Sequence, residues 1–223
     1  MHLTESKVKL IMKIGLPAGF QGAIFSVSNV LIQSSINSFG SIAMAGSTAS
    51  ANVEGFVYNA MNAVYQTALS FTSQNYGAGK MNRVTKILLY CLGLVVMVGA
   101  VMGGGAVLIG PKLLQIYSSD PEVISYGMMR MRIINGSYFL CGIMDTMVGG
   151  LRGLGYSVVP MLVSLTGACL FRVVWIFSVF AMHRTLTTLY ISYPVSWIIT
   201  FTAHIICYIV IRKRIAARRK PRD

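Results

Sequence analysis

Ala51-Asn52-Val53-Glu54-Gly55-Phe56-Val57-Tyr58-Asn59-Ala60-Met61-Asn62-Ala63-Val64-Tyr65-Gln66 decides the reading of this chain. No charged residue precedes Glu54 back to Ile14, and none follows it until Lys80. Glu54 is a lone carboxylate between two long apolar runs. Ionisable groups at membrane depth are costly and mark functional sites by default. At about 100° per residue, Ser47, Tyr58, Tyr65 and Thr72 fall within about 40° of Glu54, and Asn62 within about 80°. This polar face cannot look at lipid.

Composition agrees. Of 223 residues, 55% are hydrophobic and 11% charged, against about 25% charged in soluble domains. The net charge of +13 does not point to nucleic acid. Most Lys and Arg lie between or beyond the apolar runs, where they set topology, and no aromatic-basic groove or zinc-finger spacing occurs. Cys91, Cys141, Cys169 and Cys207 all fall inside apolar runs and make no metal or redox motif. The polar N-terminus and the long first apolar run predict no cleavable leader.

A spanning helix takes about 20 mostly apolar residues. The hydropathy pattern predicts six, over 14–38, 46–73, 86–110, 122–149, 157–182 and 187–211, forming one transmembrane lobe over 1–211. Residues 212–223 read as a basic cytoplasmic tail. A β-barrel is excluded, because the runs are too long and too uniformly apolar. The fold class is therefore an all-α membrane protein, a polytopic bundle of six transmembrane helices. Asp120 before Pro121 reads as a helix start. The fourth run spans about 42 Å at 1.5 Å per residue, more than a bilayer needs. Its first half, Glu122 to Arg132, mixes charge with Met, Val and Ile, and is expected at or outside the outer membrane surface. Pro194 predicts a kink in the sixth run.

With six helices both termini share a side. That side holds Lys7, Lys9, Lys13, Lys80, Arg83, Lys86, Arg152 and the basic tail, while Lys112, Arg130, Arg132 and Arg184 fall opposite. The bias places both termini in the cytoplasm of a multi-pass cell (plasma or inner) membrane protein.

Polar groups recur inside the apolar runs. Gly22, Ser26, Asn29, Gln33 and Asn37 make a stripe about 80° wide on the first helix. It reads either as interhelical hydrogen bonding or as a wall of a water-filled cavity. Asp145 is a second embedded carboxylate, with Arg152 on the same face about 10 Å along the axis. Arg172 is embedded mid-helix, and unpaired it costs at least ~2.5–3.5 kcal/mol. Its expected partners are Glu54, Asp145 or backbone carbonyls. His204 is embedded too, either packing or joining a proton path. No enzyme constellation occurs: there is no G-x-S-x-G, no H-E-x-x-H and no Walker spacing. The chain is not expected to be an enzyme or to carry a cofactor.

Four motifs, in order, carry a resemblance: Gly15-Leu16-Pro17-Ala18-Gly19, Ile42-Ala43-Met44-Ala45-Gly46, Ser73-Gln74-Asn75-Tyr76-Gly77-Ala78-Gly79-Lys80 and Leu151-Arg152-Gly153-Leu154-Gly155. Together they resemble the C-terminal half of the multidrug and toxic compound extrusion (MATE) family, from about Lys9 to Ile211. The resemblance implies one lobe of a twelve-helix transporter, whose two six-helix lobes are related by an axis along the membrane normal. It also implies export of cationic, amphipathic compounds in exchange for Na+ or H+. Sodium-binding members use acidic residues of the seventh and tenth helices. Here the first helix carries no acid, and Asp145, on the tenth-helix equivalent, is the carry-over.

The expectation is half of an ion-coupled antiporter exporting cationic drugs or toxins. Glu54 and Asp145 would attract a proton, a cation or Na+, and Tyr58, Asn62, Tyr65, Asn29, Gln33 and Arg172 would complete the binding site. The expected partners are the other six-helix lobe, as the N-terminal half of the same protein or a separate chain, small cationic substrates and the lipid bilayer. The alternatives are a flippase for a lipid-linked precursor, or a non-transporting fragment or scaffold.

Overall fold

The computed structural model describes residues 5–218, and these are almost wholly helical. Helix α1 runs over Glu5–Asn37, α2 over Ser41–Gly77, α3 over Met81–Leu108 and a short α4 over Gly110–Gln115. Then come α5 (Pro121–Ile134), a 3-10 turn (Asn135–Ser137) and α6 (Tyr138–Gly153). The next helix, Val158–Phe180, is α7 (Val158–Ser164) and α8 (Phe171–Trp175) with wide π-helical turns at Leu165–Leu170 and Ile176–Phe180. Helix α9 spans Leu186–Arg218 and runs through Pro194.

Local chemistry sets the ends. The Asp120 carboxylate accepts the Glu122 backbone N–H at 2.8 Å, with Pro121 in the first turn of α5. Gly79 and Gly155 take φ of +77° and +84°, a conformation that costs glycine little. This is why the Gln-Asn-Tyr-Gly-Ala-Gly and Arg-Gly-Leu-Gly segments turn where they do.

Helix α2 is the central element, packed against α3, α5 and α6. Glycines bring backbones together there. A Cβ at Gly46 would strike the Val123 carbonyl oxygen, and one at Gly127 would lie 3.0 Å from the Gly46 carbonyl oxygen. On the α6 side, a Cβ at Gly149 would lie 2.8 Å from the Tyr65 carbonyl oxygen. Close backbone approach through small residues is the usual packing mode of helices in lipid.

The outer surface is apolar, unlike that of a water-soluble protein, and the largely apolar interior encloses several polar and charged groups. The outer surface carries Phe20, Val27, Val30, Phe56, Leu89, Met97, Val101 and Phe177, each more than half exposed. The interior holds Glu54, Arg130, Asn135, Arg172 and His204, all buried. So much exposed apolar surface fits a lipid environment and no aqueous one. Among the described residues, four helical stretches are long and apolar enough to cross a membrane: Ile11–Asn37, Met81–Leu108, Val158–Phe180 and Leu186–Ala217. The polar face of α2 and the break between α5 and α6 explain why those two segments are not among them.

One expectation needs correction. The sequence at 122–149, expected as one helix, is two helices with a turn between them. Helix α5 packs against α2 and α9, and Arg130 is buried there, at 7% exposure. Residues 212–218 continue α9. The remainder of the expected tail lies outside the described residues.

Candidate functional site

Glu54 has a partner, and it is Arg130. The guanidinium donates from Nε to Oε1 and from Nη2 to Oε2, each at 2.8 Å. Its Nη1 donates to Ser47 Oγ at 3.0 Å, and Ser50 Oγ donates to Glu54 Oε1 at 3.1 Å. The guanidinium carbon lies 5.6 Å from the Tyr190 ring centroid and 5.9 Å from that of Tyr193. Paired bonds between a fork of donors and a carboxylate are among the strongest protein hydrogen bonds. Glu54 is neutralised in place. The close packing at Gly46 and Gly127 is what brings α5 near enough for this contact.

Arg172 therefore takes neither of its expected carboxylate partners, and among the described residues it binds no backbone carbonyl. Its Nε donates to Ser196 Oγ at 2.9 Å. Its guanidinium carbon lies 4.1 Å from the Tyr193 ring centroid and 5.9 Å from that of Trp197. Aromatic faces on α9 replace the missing anion.

Asp145 is different. Among the described residues it makes no hydrogen bond and no ion pair, and Arg152 does not reach it. It is half-buried at the junction of two cavities. One, of about 420 Å³, is lined by Gln21, Gly22, Phe25, Asn29, Tyr58, Asn62, Tyr65, Asp145 and Arg152. The other, of about 160 Å³, is lined by Phe25, Asn29, Glu54, Tyr58, Tyr138, Asp145, Arg172, Tyr193 and Trp197, among others. Phe25, Asn29, Tyr58 and Asp145 line both, so the two form one continuous cleft between α1, α2, α6, α8 and α9.

The cleft gathers seven of the eight residues singled out by sequence: Glu54, Asp145, Tyr58, Asn62, Tyr65, Asn29 and Arg172. Gln33 is the exception. It donates to Asn37 Oδ1 at 3.1 Å and lines a separate hollow with Thr48, Asn52 and Tyr117. Its place four residues beyond Asn29 carries it out of the cleft.

Two contributors escape the sequence reading. Arg152 donates to Tyr65 Oη and to Gln21 Oε1, each at 2.8 Å, and so ties α6 to α2 and α1 at one end of the cleft. Arg130 is the other, and helical periodicity holds a signal for it. With Val123 at 0°, Gly127 and Ile134 fall within about 40°, Arg130 at about −20°, and Glu122 and Arg132 point away. His204 lies apart from the cleft, its Nε2 3.3 Å from the Pro160 carbonyl oxygen and 3.4 Å from Ser164 Oγ.

A family model described as MatE matches residues 17–178. The chain belongs to the MatE family. It is 24% identical over 159 residues to a probable multidrug resistance protein NorM of Thermotoga maritima, covering 71% of this chain and 34% of that protein. It is also 24% identical over 156 residues to a probable multidrug resistance protein YpnP of Bacillus subtilis, covering 70% of this chain and 35% of that one. Its fold matches the crystal structure of a mutant form of the Vibrio cholerae MATE transporter VcmN, with a TM-score of 0.85 and 19% identity. That match covers 94% of this chain and 48% of the other. The chain thus spans about half the length of the solved MATE transporter, and about a third of each curated relative is aligned to it. The cleft is bounded on one side by α1, and only 6% of that helix's most apolar stretch is buried.

Proposed function

We propose that this chain is one lobe of an ion-coupled secondary antiporter that exports cationic amphipathic compounds in exchange for Na+ or H+. The observation that carries this reading is Asp145: a carboxylate without an ion-pair partner among the described residues, at the junction of two cavities. Tyr58, Tyr138 and Tyr65 stand around it, and their ring faces suit an organic cation. Asn29 and Asn62 supply side-chain carbonyl oxygens for a hydrated or partly dehydrated ion.

Exchange follows from competition. One carboxylate cannot be neutralised by cargo and coupling ion together, so each displaces the other. Glu54, held by Arg130, serves as a fixed wall rather than as the exchanging group. The second lobe, from the same protein or a separate chain, completes the cleft on the bare side of α1. The bias of Lys and Arg sets both termini in the cytoplasm.

The test is reconstitution of the chain with an N-terminal lobe in liposomes, with sodium and pH gradients imposed separately while a fluorescent cation is followed. One gradient or both should drive uptake, and Asp145→Asn should abolish it without loss of inserted protein. Gradient-driven transport by Asp145→Asn at the parent rate would refute the role given to Asp145.

A further inference from the structure

A second apolar core lies at the basic end of the bundle, away from the cleft. Val84 and Leu88 of α3, Met147 and Leu151 of α6, and Tyr208 and Ile211 of α9 pack together there. Helices α3 and α9 each pack on α6 rather than on each other. A pair of hydroxyls spans the seam between them: Thr85 Oγ1 and Tyr208 Oη are hydrogen-bonded at 3.4 Å. Each hydroxyl carries one proton, and a single bond uses only one of the two, so one O–H remains to donate.

Polar groups border this pair on the side nearer the chain termini. Arg212 lies one turn beyond Tyr208, Asn82 one turn before Thr85, and Lys86 next to Thr85. Deeper along the same helices come Leu89 and Ile205, both exposed. At about 100° per residue, Arg212 and Ile205 fall about 40° and 60° to one side of Tyr208. On α3, Leu89 and Asn82 fall about 40° and 60° to one side of Thr85. The seam thus has a polar, cationic mouth and apolar walls below it.

Charge is unbalanced at this end. Lys80, Arg83, Lys86, Arg212, Lys213 and Arg214 gather there, and among the described residues none of them makes an ion pair. The described acids are engaged or placed elsewhere. Glu5 is held by Lys9 and Glu54 by Arg130, Asp145 lines the cleft, and Asp120 and Glu122 open α5 at the opposite end. Topology alone accounts for cations on one side of a membrane. It does not account for a hydroxyl pair and exposed apolar walls set beside two of them.

We propose that the seam between α3 and α9 is a binding site for an anionic phospholipid. Arg212 and Lys86 flank the phosphodiester, which accepts the spare O–H of the Thr85–Tyr208 pair and the Asn82 amide. An acyl chain runs past Leu89 and Ile205. Basic pockets between membrane helices bind such headgroups through the same chemistry. The lipid bridges two helices that the protein itself joins weakly, so it stabilises the fold.

The experiment follows thermal unfolding of the purified full chain in detergent during titration with dioleoylphosphatidylglycerol, dioleoylphosphatidylcholine or inorganic phosphate. A ligand of the folded state raises the melting temperature as its concentration rises. Phosphatidylglycerol should act at a concentration about tenfold or more below that of phosphatidylcholine, as charge-assisted hydrogen bonds require. Inorganic phosphate, which has no acyl chain, should not reproduce the shift. Lys86→Gln with Arg212→Gln should raise the phosphatidylglycerol midpoint about tenfold. Lys213→Gln with Arg214→Gln removes the same charge at positions about 120–140° from Tyr208 and should change the midpoint far less. Equal midpoints for the two lipids would overturn the proposal, and so would a matching shift from inorganic phosphate. Equal losses in the two double variants would also overturn it, because a basic surface of no fixed geometry would then suffice. The comparison of lipids needs no substitution, so it decides even where a variant fails to fold.

Discussion

Arg130 grips both oxygens of Glu54 at 2.8 Å, across the line where α2 and α5 touch through Gly46 and Gly127. A carboxylate and a guanidinium that are both this deeply buried are costly apart and tolerable together.

Removing one partner should therefore cost far more than removing both. Glu54→Gln and Arg130→Met should each lower stability by about 3–5 kcal/mol, because each strands the opposite charge. The double variant should recover most of that loss. Thermal unfolding of the detergent-purified proteins measures it. Losses that simply add would mean the two residues do not act as a pair.

Asn135 interrupts the run from α5 to α6. It is 1% exposed, and neither its Nδ2 nor its Oδ1 finds a protein partner. An unsatisfied buried amide costs about 1–3 kcal/mol. Asn135→Leu, close in size, should raise the melting temperature. A fall would indicate a buried water bridging the amide.

The glycines should divide by contact. Gly149→Ala drives a Cβ to 2.8 Å from the Tyr65 carbonyl oxygen, and α2 must shift to admit it. Overpacking of this kind costs about 1–3 kcal/mol. Gly19 has nothing within 4 Å of its would-be Cβ, so Gly19→Ala should be neutral or gain up to about 1 kcal/mol from helix propensity. Paired melts test this, and equal effects would deny the close approach of α2 and α6.

Much of this arrangement is legible in the amino-acid sequence. Runs of apolar residues define the class, and Asp120, Gly79 and Gly155 mark ends through local chemistry that needs no tertiary context. Gly22 and Asn29 of the polar stripe line the cleft, because helical periodicity alone sets a face. Pairings are less legible. Glu54, Asp145 and Arg172 stand out as conspicuous embedded charges, whereas Arg130 is masked among Glu122, Arg132 and neighbouring methionines. Which charges meet depends on how closely two helices approach, and here Gly46 and Gly127 decide it. Gln33 shares the angular face of Asn29 but not its depth, and a helical wheel discards depth.

The most direct measurement asks whether the Asp145 position is wet. With Cys91, Cys141, Cys169 and Cys207 replaced, a cysteine is placed by Asp145→Cys or by Met147→Cys, the latter at a site only 2% exposed and absent from both cavities. Each is treated with a small, charged, membrane-impermeant thiol reagent, with and without a fluorescent organic cation. The Asp145→Cys protein should label readily, while the Met147→Cys protein should not. Equal resistance of the two sites would place Asp145 in a dry interior and contradict the account.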